Sequence, residues 1–339
     1  MKQTLGICLI GAGRAGMIHG RNFASRVKGA KMVAVVDALE SACHAACEEL
    51  GISKYYLDYK EALKDPEVDA VVIVSPTGLH KQIAIDAANA KKHIFCEKPM
   101  AVDVEECQAM IDAAEQNGVK LQIGFMRRHD ESFEEAKKAI DAGEIGDVVY
   151  IKSNTRGPSK PREWMYDVSK SNGVLGELNS HDIDCIRWLA GSEIKTLYAI
   201  GGNFRNKEVA ETYPDYYDNV VMMGTFENGV QYTIDGSAYV EYGYDAKVEV
   251  MGTKGCMTIG KKEGFNYEVS NVGGGIHKPF IKSWMLLFKD AYLREDQDFI
   301  DCILEDRQPK VTGKDGLMAV KIVDLGNQSI REKRIIEVE

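Results

Sequence analysis

The sequence has no CxxC pair, although it holds eight cysteines: Cys8, Cys43, Cys47, Cys96, Cys107, Cys185, Cys256 and Cys302. Thiols scattered in this way build neither a four-thiolate zinc site nor a small disulfide scaffold. Cys43 and Cys47, with His44 between them, could share a helix face, but no second cluster completes a tetrahedral set, so no metal is expected. Free cysteine packs as a small hydrophobe, and free thiols at this density point to a reducing cytoplasmic setting. Proline is sparse, at 8 of 339 residues, and no low-complexity linker or internal repeat interrupts the chain. No apolar run approaches the ~20 residues that cross a bilayer. Residues 4–10 are apolar but run straight into glycines, so no targeting segment is expected. An excess of positive charge is missing as well, with 42 Lys and Arg against 52 Asp and Glu and a formal charge of −10. Phosphate backbones are bound by neutralising them, so neither nucleic acid nor membrane is an expected partner.

What is present is the composition of a soluble globular protein, 45% hydrophobic and 28% charged, at a length that suggests two domains. The first 123 residues alternate strand and helix. Apolar or β-branched runs at 5–10, 31–36, 70–74, 93–96 and 121–123 read as strands covered on both faces. Stretches at 17–25, 40–50, 79–90 and 104–116 read as helices, with Gly51 and Gly118 as stops and Asp103 as a cap. This alternation predicts a doubly wound parallel sheet, a Rossmann domain, over 1–123. One more helix is expected at 131–142. Strand-like runs then dominate at 148–153, 196–200, 219–226, 230–236, 247–251 and 256–259, and Asn228-Gly229 marks a hairpin. They predict a second domain over 124–339 with a mixed or antiparallel sheet. Helices at 284–304 and 317–331 close the chain, the C-terminal helix being placed to pack back on the first domain. Gly273-Gly274-Gly275 is expected to be a flexible loop over the site.

The glycine motif Gly11-Ala12-Gly13-Arg14-Ala15-Gly16 follows a strand and opens a helix, and Asp37 ends the next strand. Gly11 would allow the tight turn, Gly13 the approach of a pyrophosphate, and Gly16 close packing of helix on strand. Backbone N–H groups at the helix start, through Arg14 and Ala15, would face the phosphates. A carboxylate at 37 would accept hydrogen bonds from ribose hydroxyls and repel a 2′-phosphate, which favours NAD over NADP. The alternative is a turn whose glycines serve packing alone. Ser75-Pro76-Thr77-Gly78-Leu79-His80 spans a strand-to-helix junction of the kind that lines a ligand crevice. Thr77 would cap the helix or touch the cofactor, and His80 in the first turn is structural rather than catalytic, placed among the cofactor contacts.

Glu97-Lys98-Pro99 follows the strand at 93–96. Proline disfavours a helical conformation at Lys98, and a lysine held at a strand's carboxyl end would enter the crevice. There its ammonium could bind a hydroxyl and favour loss of the proton. A solvated surface lysine is the alternative. Asn179-Ser180-His181-Asp182 opens an amphipathic helix ended by Gly191. Glu177 stands four residues before His181 and on a helix would share its face. A carboxylate that orients an imidazole makes a general base. On spacing alone, a helix-capping histidine among solvated acids remains open.

These residues resemble the Gfo/Idh/MocA oxidoreductases along nearly the whole chain. The resemblance rests on GAGRAG at 11–16, PTGLH at 76–80, CEKPM at 96–100, GFMRRHD at 124–130, NSHDIDCIRWLAG at 179–191 and YGYD at 242–245. FMRR followed by YGYD looks most like the inositol dehydrogenase branch. The resemblance implies a Rossmann domain followed by an open-faced mixed sheet that packs on another subunit, giving homodimers or homotetramers. It implies that Glu97 and Lys98 belong to the EKP motif beside NAD and that His181 is the catalytic histidine. Arg127, Asn154, Tyr242 and Tyr244 fall where substrate residues of the family sit, together with Lys98, Glu177 and His181. The inositol branch carries aspartate four residues before the histidine; here that position is Glu177, one methylene longer.

The expected activity is therefore NAD-dependent oxidation of a secondary ring hydroxyl of a cyclic polyol or sugar (inositol-like, glycoside or anhydrosugar) to a ketone. Catalytic roles fall on Lys98, His181 and Glu177. Two other readings stay open: an oxidoreductase that keeps and recycles its own nicotinamide between sugars, and a non-catalytic sensor of sugar or dinucleotide. The stretch 154–171, rich in Lys, Arg and Pro, is expected as a loop that sets specificity.

Overall fold

A computed structural model describes residues 3–260, 269–270, 276–277 and 279–339. The glycine run 273–275 lies outside the described residues. The chain divides into two compact units, one of Met1–His129 with Asp290–Val320, the other of Asp130–Lys289 with Lys321–Glu339.

In the first unit the elements follow in strict alternation. They are β1 (Leu5–Ile10), α1 (Gly16–Ser25), β2 (Ala30–Val36), α2 (Glu40–Leu50), β3 (Tyr55–Tyr56), α3 (Tyr59–Lys64), β4 (Ala70–Ile73), α4 (His80–Asn89), β5 (His93–Glu97), α5 (Val104–Asn117) and β6 (Leu121–Gly124). The strands form one parallel sheet in the order β3-β2-β1-β4-β5-β6. The order reverses between β1 and β4, and in such sheets ligands bind outside the carboxyl ends of the strands at that reversal. β3 and α3 are too short to leave a periodic signal; only Asp58, whose side chain accepts from Lys60 N–H, marks the start of α3. Gly51 and Gly118 end α2 and α5 at φ 69° and 64°, a backbone that glycine adopts at least cost.

The core of this unit explains its second segment. Ile7, Leu9, Val35, Val72 and Phe95 of the sheet pack with Phe23 of α1 and with Phe299, Ile300 and Cys302. Each such side chain contributes about 1.5–3 kcal/mol by leaving water. Residues 290–320 thus return to the first unit, whereas the expectation put 124–339 in the second domain with only the C-terminal helix packing back.

The second unit contains α6 (Glu131–Asp141), β7 (Val148–Gly157), α7 (Val168–Ser171), α8 (Ser180–Ala190), β8 (Ile194–Gly202), β9 (Asn219–Phe226), β10 (Gln231–Ala238), β11 (Asp245–Gly252) and β12 (Cys256–Ile259). A small antiparallel pair, β13 (Val269–Ser270) and β14 (Ile276–His277), follows. The chain closes with α9 (Trp284–Leu287), α10 (Lys289–Leu304), α11 (Gly313–Glu332) and β15 (Ile336–Glu337). The main sheet is mixed, in the order β12-β11-β7-β10-β9-β8-β15, with β7 and β10 parallel and the other pairs antiparallel. Gly229, at φ 87°, turns the β9–β10 hairpin.

Three expectations change. The helix expected at 284–304 breaks at Phe288, whose ring lies against Phe133 and Tyr244 at 6.4 and 6.5 Å. The helix expected at 317–331 starts earlier, at Gly313. An added Cβ at Gly316 would sit 2.8 Å from Met100 Sδ and 3.0 Å from Ile123 Cγ1, so close packing puts glycine where helix propensity is poor. The expected loop at 154–171 begins as strand, because β7 runs on to Gly157.

Candidate active site

At the carboxyl end of β1 the chain turns at Gly11, φ 103°, where an added Cβ would meet Val74 O at 2.5 Å. An added Cβ at Gly16 would meet Gly11 O at 2.0 Å, so the start of α1 lies directly on the turn. Gly13 differs: nothing lies within 4 Å of its added Cβ. Gly13 and Arg14 are exposed, Ala15 is half-buried, and no side chain caps α1. An uncapped helix start with bare backbone beside it is the cradle that a pyrophosphate occupies. Asp37 Oδ2 accepts from Ala12 N–H at 2.9 Å and Oδ1 from Leu39 N–H at 3.0 Å. Each oxygen keeps a further lone pair, so the carboxylate can steady the glycine turn and still accept from a ribose hydroxyl.

At the end of β4, Ser75 Oγ is buried with no partner among the described residues, and a ligand hydroxyl or amide would satisfy it. Thr77 opens a 3₁₀ turn, Thr77–Leu79, and neither this turn nor α4 has a side-chain cap, so Thr77 does not make the expected cap. His80 is 2% exposed, with Nε2 2.8 Å from Ser75 O and Nδ1 2.9 Å from Pro99 O. A neutral imidazole donates from one nitrogen only, so Nε2 can donate to Ser75 O while Nδ1 accepts from Cys96 Sγ at 3.4 Å, which ties the β4 loop to β5. Burial pushes its pKa below the ordinary value, while the two carbonyls pull the other way.

At the end of β5 the half-buried Lys98 is anchored through its backbone, whose N–H donates to Glu97 Oε2 at 2.9 Å. Glu97 Oε1 lies 3.0 Å from His19 Nε2, and His19 Nδ1 lies 2.6 Å from Asp296 Oδ1. Arg127 follows β6 on a 3₁₀ turn and is 1% exposed. Gly11, Gly13, Arg14, Ala15, Asp37, Ser75, Thr77, Lys98 and Arg127 therefore lie in loops or turns after the carboxyl ends of strands, Glu97 ends β5, and Gly16 and His80 begin α1 and α4.

In the second unit His181 sits in the first turn of α8 and is 7% exposed. Glu177, half-buried, lies on the π-helical turn Leu175–Asn179 that leads into α8; π turns close i→i+5 hydrogen bonds and recur at functional sites. The turn is locked by side chains that spacing did not single out. Asn179 Nδ2 donates to Asp182 Oδ2 at 2.8 Å and to Asp235 O at 3.2 Å, and Ser153 Oγ donates to Asp182 Oδ1 at 2.5 Å. Gly236 makes this possible, since an added Cβ there would fall 1.9 Å from Asn179 Oδ1. Asn154, on β7, donates to Asp245 O at 3.2 Å, and Tyr242 donates to Asp245 Oδ2 at 3.2 Å. Tyr242 is exposed and Tyr244 buried, so the two YGYD tyrosines are not equivalent.

Two features escaped the sequence reading. His19 and Asp296 carry no motif and are far apart in the chain. Asn179 and Asp182 stood inside a quoted motif, but only β7 and β10 reveal their partners. Seven of the eight cysteines are buried, with Cys256 exposed, and Cys43 Sγ lies 3.5 Å from Asp37 O, close enough for a weak hydrogen bond to its backbone.

Residues 5–125 match the oxidoreductase family with an NAD-binding Rossmann fold, GFO_IDH_MocA, and residues 137–338 match its C-terminal alpha/beta domain. A scyllo-inositol 2-dehydrogenase (NAD(+)) of Bacillus subtilis is 33% identical over 339 residues, covering 100% of this chain and 98% of the relative. A myo-inositol 2-dehydrogenase of Thermotoga maritima is 31% identical, covering 98% of each chain. Among solved structures, scyllo-inositol dehydrogenase from Lactobacillus casei with bound NAD(H) and scyllo-inositol has a TM-score of 0.90 and 30% identity, over 98% of this chain and 99% of that one.

Proposed function

The chain belongs to the Gfo/Idh/MocA oxidoreductase family, and from that premise we propose that it oxidises a secondary ring hydroxyl of a cyclic polyol, inositol-like, to the ketone. NAD is its cofactor. The glycine turn fits that group: Gly13 is bare, α1 is uncapped, and Asp37 stands beside the turn with acceptor capacity to spare. Gly11, Gly13, Gly16, Asp37 and Ser75 would hold it, and when bound its nicotinamide supplies the hydride acceptor.

The observation that carries the reading is the anchoring of Lys98 at the carboxyl end of β5 by Glu97, beside the strand-order reversal where such sheets bind ligands. Lys98 then holds the substrate hydroxyl and stabilises negative charge growing on its oxygen. His181 takes the hydroxyl proton as general base. Glu177, one methylene longer than the family aspartate, orients the imidazole. The Asn179–Asp182–Ser153 lock keeps the first turn of α8 in place while the proton moves. Asn154, Tyr242, Tyr244 and Arg127 are proposed to bind the remaining hydroxyls.

We further propose a homodimer or homotetramer built on the sheet of the second unit. Ile200 and Val221 pair across β8 and β9 and are 59% and 39% exposed; Met223 beside them is 53% exposed. An apolar patch of this kind on a sheet face marks an interaction surface.

The test is NAD reduction, followed at 340 nm, across inositols, aldoses, glycosides and anhydrosugars. Turnover with inositols above the other classes supports the reading. Tight NAD binding with no polyol-dependent reduction would leave a sensor, and a nicotinamide that survives dialysis would point to internal recycling.

A further inference from the structure

His19 lies on the buried face of α1, under the dinucleotide turn, and has no part in the reaction above. It is 0% exposed, yet both ring nitrogens meet carboxylates: Asp296 on α10 at 2.6 Å and Glu97 on β5 at 3.0 Å. Carboxylate oxygens only accept, so satisfying both requires that both nitrogens donate, which only the imidazolium does. We propose that His19 is a positioning residue for Lys98: as a buried imidazolium it holds the Glu97 side chain in orientation, and Glu97 in turn holds the Lys98 backbone.

The chain of contacts is continuous within the first unit. Asn22, three residues after His19 and so on the same face of α1, donates to Asp296 Oδ2 at 2.8 Å. Asp296 is therefore gripped from both oxygens and cannot turn away from the ring. The rings of Phe95 and Tyr292 flank His19 at 5.0 and 5.5 Å and keep water out. On the far side of Glu97, an added Cβ at Gly124 would fall 3.0–3.2 Å from the carboxyl group. Glycine there leaves room for the carboxylate to lie flat between His19 and the Lys98 N–H.

The charges agree with this geometry. The ionisable groups around the ring are Asp296, Glu295 and Tyr292 on α10 and Glu97 on β5. Burial alone would drive the His19 pKa down, but Asp296 and then Glu97 drive it well above its ordinary value. Glu295 is wholly buried with both oxygens unpartnered, and burial reinforced by Glu97 raises its pKa far above the carboxylate range. That shift favours its neutral form and so lightens the negative charge around the imidazolium. Without the positive charge, Glu97 would be an uncompensated buried anion. It would turn away from the ring, and its Oε2 would no longer accept from Lys98.

This inference rests on the catalytic reading of Lys98, and the test separates the two. Nitrogen-15 NMR of the histidine-labelled, NAD-bound protein is expected to show one imidazole with both nitrogens protonated and unchanged from about pH 6 to pH 9, a window in which an ordinary histidine titrates. A neutral tautomer for His19 overturns the proposal whatever the enzyme turns over. With the best polyol of the screen, His19→Gln is expected to lower kcat about tenfold to a hundredfold, the cost of a displaced catalytic group, with NAD affinity held within about twofold. Asp296→Asn removes the stronger of the two charges that raise the pKa. It should therefore lose kcat progressively relative to wild type as pH rises from about 6 to 9, and recover towards wild type at low pH. Wild-type kcat in a folded His19→Gln, or a pH profile for Asp296→Asn parallel to wild type, also overturns it. If Lys98→Met keeps full turnover, the lysine reading fails while the nitrogen spectrum still judges His19.

Discussion

An added Cβ at Gly16 would lie 2.0 Å from the carbonyl oxygen of Gly11, whereas one at Gly13 would meet nothing within 4 Å. The two glycines thus differ in what they leave room for: Gly16 for the chain itself, Gly13 for open space, which the proposed pyrophosphate would fill. Gly16→Ala is expected to force α1 off the turn, lowering both the melting temperature and NAD affinity. Gly13→Ala should melt as wild type and lose NAD affinity alone. Thermal melts with and without NAD distinguish the two, and equal destabilisation by both would contradict the assignment.

Asp37→Ala should raise the Kd for NAD by about tenfold to a hundredfold, since hydrogen bonds to a charged acceptor contribute ~1.5–3 kcal/mol. It should also narrow the preference over NADP, because the repelling carboxylate is gone. Titration calorimetry with both dinucleotides measures this, and an unchanged ratio would remove Asp37 from the ribose site.

His181→Ala is expected to lower kcat by about 100- to 10,000-fold, the usual contribution of a positioned base, with NAD affinity nearly intact. Lys98→Met should abolish turnover and leave the melting temperature close to wild type, since the half-buried lysine is anchored by its backbone. Steady-state kinetics beside circular dichroism checks both. An active Lys98→Met enzyme would refute the role of the lysine.

Stability should fall as pH rises through neutrality. His19 has a native pKa well above the ordinary 6.5, so the folded chain keeps a proton that the unfolded chain releases. That stabilisation is fully present below about pH 6.5 and is lost as pH climbs towards the native value, by at most about 1.4 kcal/mol per pH unit. Glu295 acts in the same direction from lower pH, because its raised pKa keeps it protonated after the unfolded carboxyl, ordinarily at 4.5, has ionised. Melting temperatures from about pH 6 to pH 9 should decline, and more shallowly in His19→Gln. A flat wild-type curve would rule out a raised His19.

Ile200→Lys combined with Met223→Lys should shift the protein towards monomer in light scattering while the subunit stays folded, because both side chains point away from the core. Unchanged mass would place the interface elsewhere.

The first unit was largely legible in the sequence because its signals are local. Buried parallel strands read as unbroken apolar runs, and Gly11, Gly51 and Gly118 sit where the backbone turns through positive φ. Asp37 and Lys98 could be placed at strand ends from spacing alone. The mixed sheet was legible as strands and a hairpin but not as an order, since the parallel pairing of β7 with β10 joins segments far apart in the chain. A C-terminal helix packing back on the first domain is expected from the sequence, and α11 joins the first unit up to Val320; the return of α10 left no local signal, because an amphipathic helix shows which face it buries, not against what.

Local chemistry alone determined the glycine turn, the alternation behind it and the types of side chain available for catalysis. Tertiary structure alone decided that His19 meets Glu97 and Asp296, that Asn179 is locked under β10, and that Thr77 caps nothing. Periodicity and propensity act over a few residues. The cost of burying a charge is offset only by whichever opposite charge the folded chain brings within hydrogen-bonding distance.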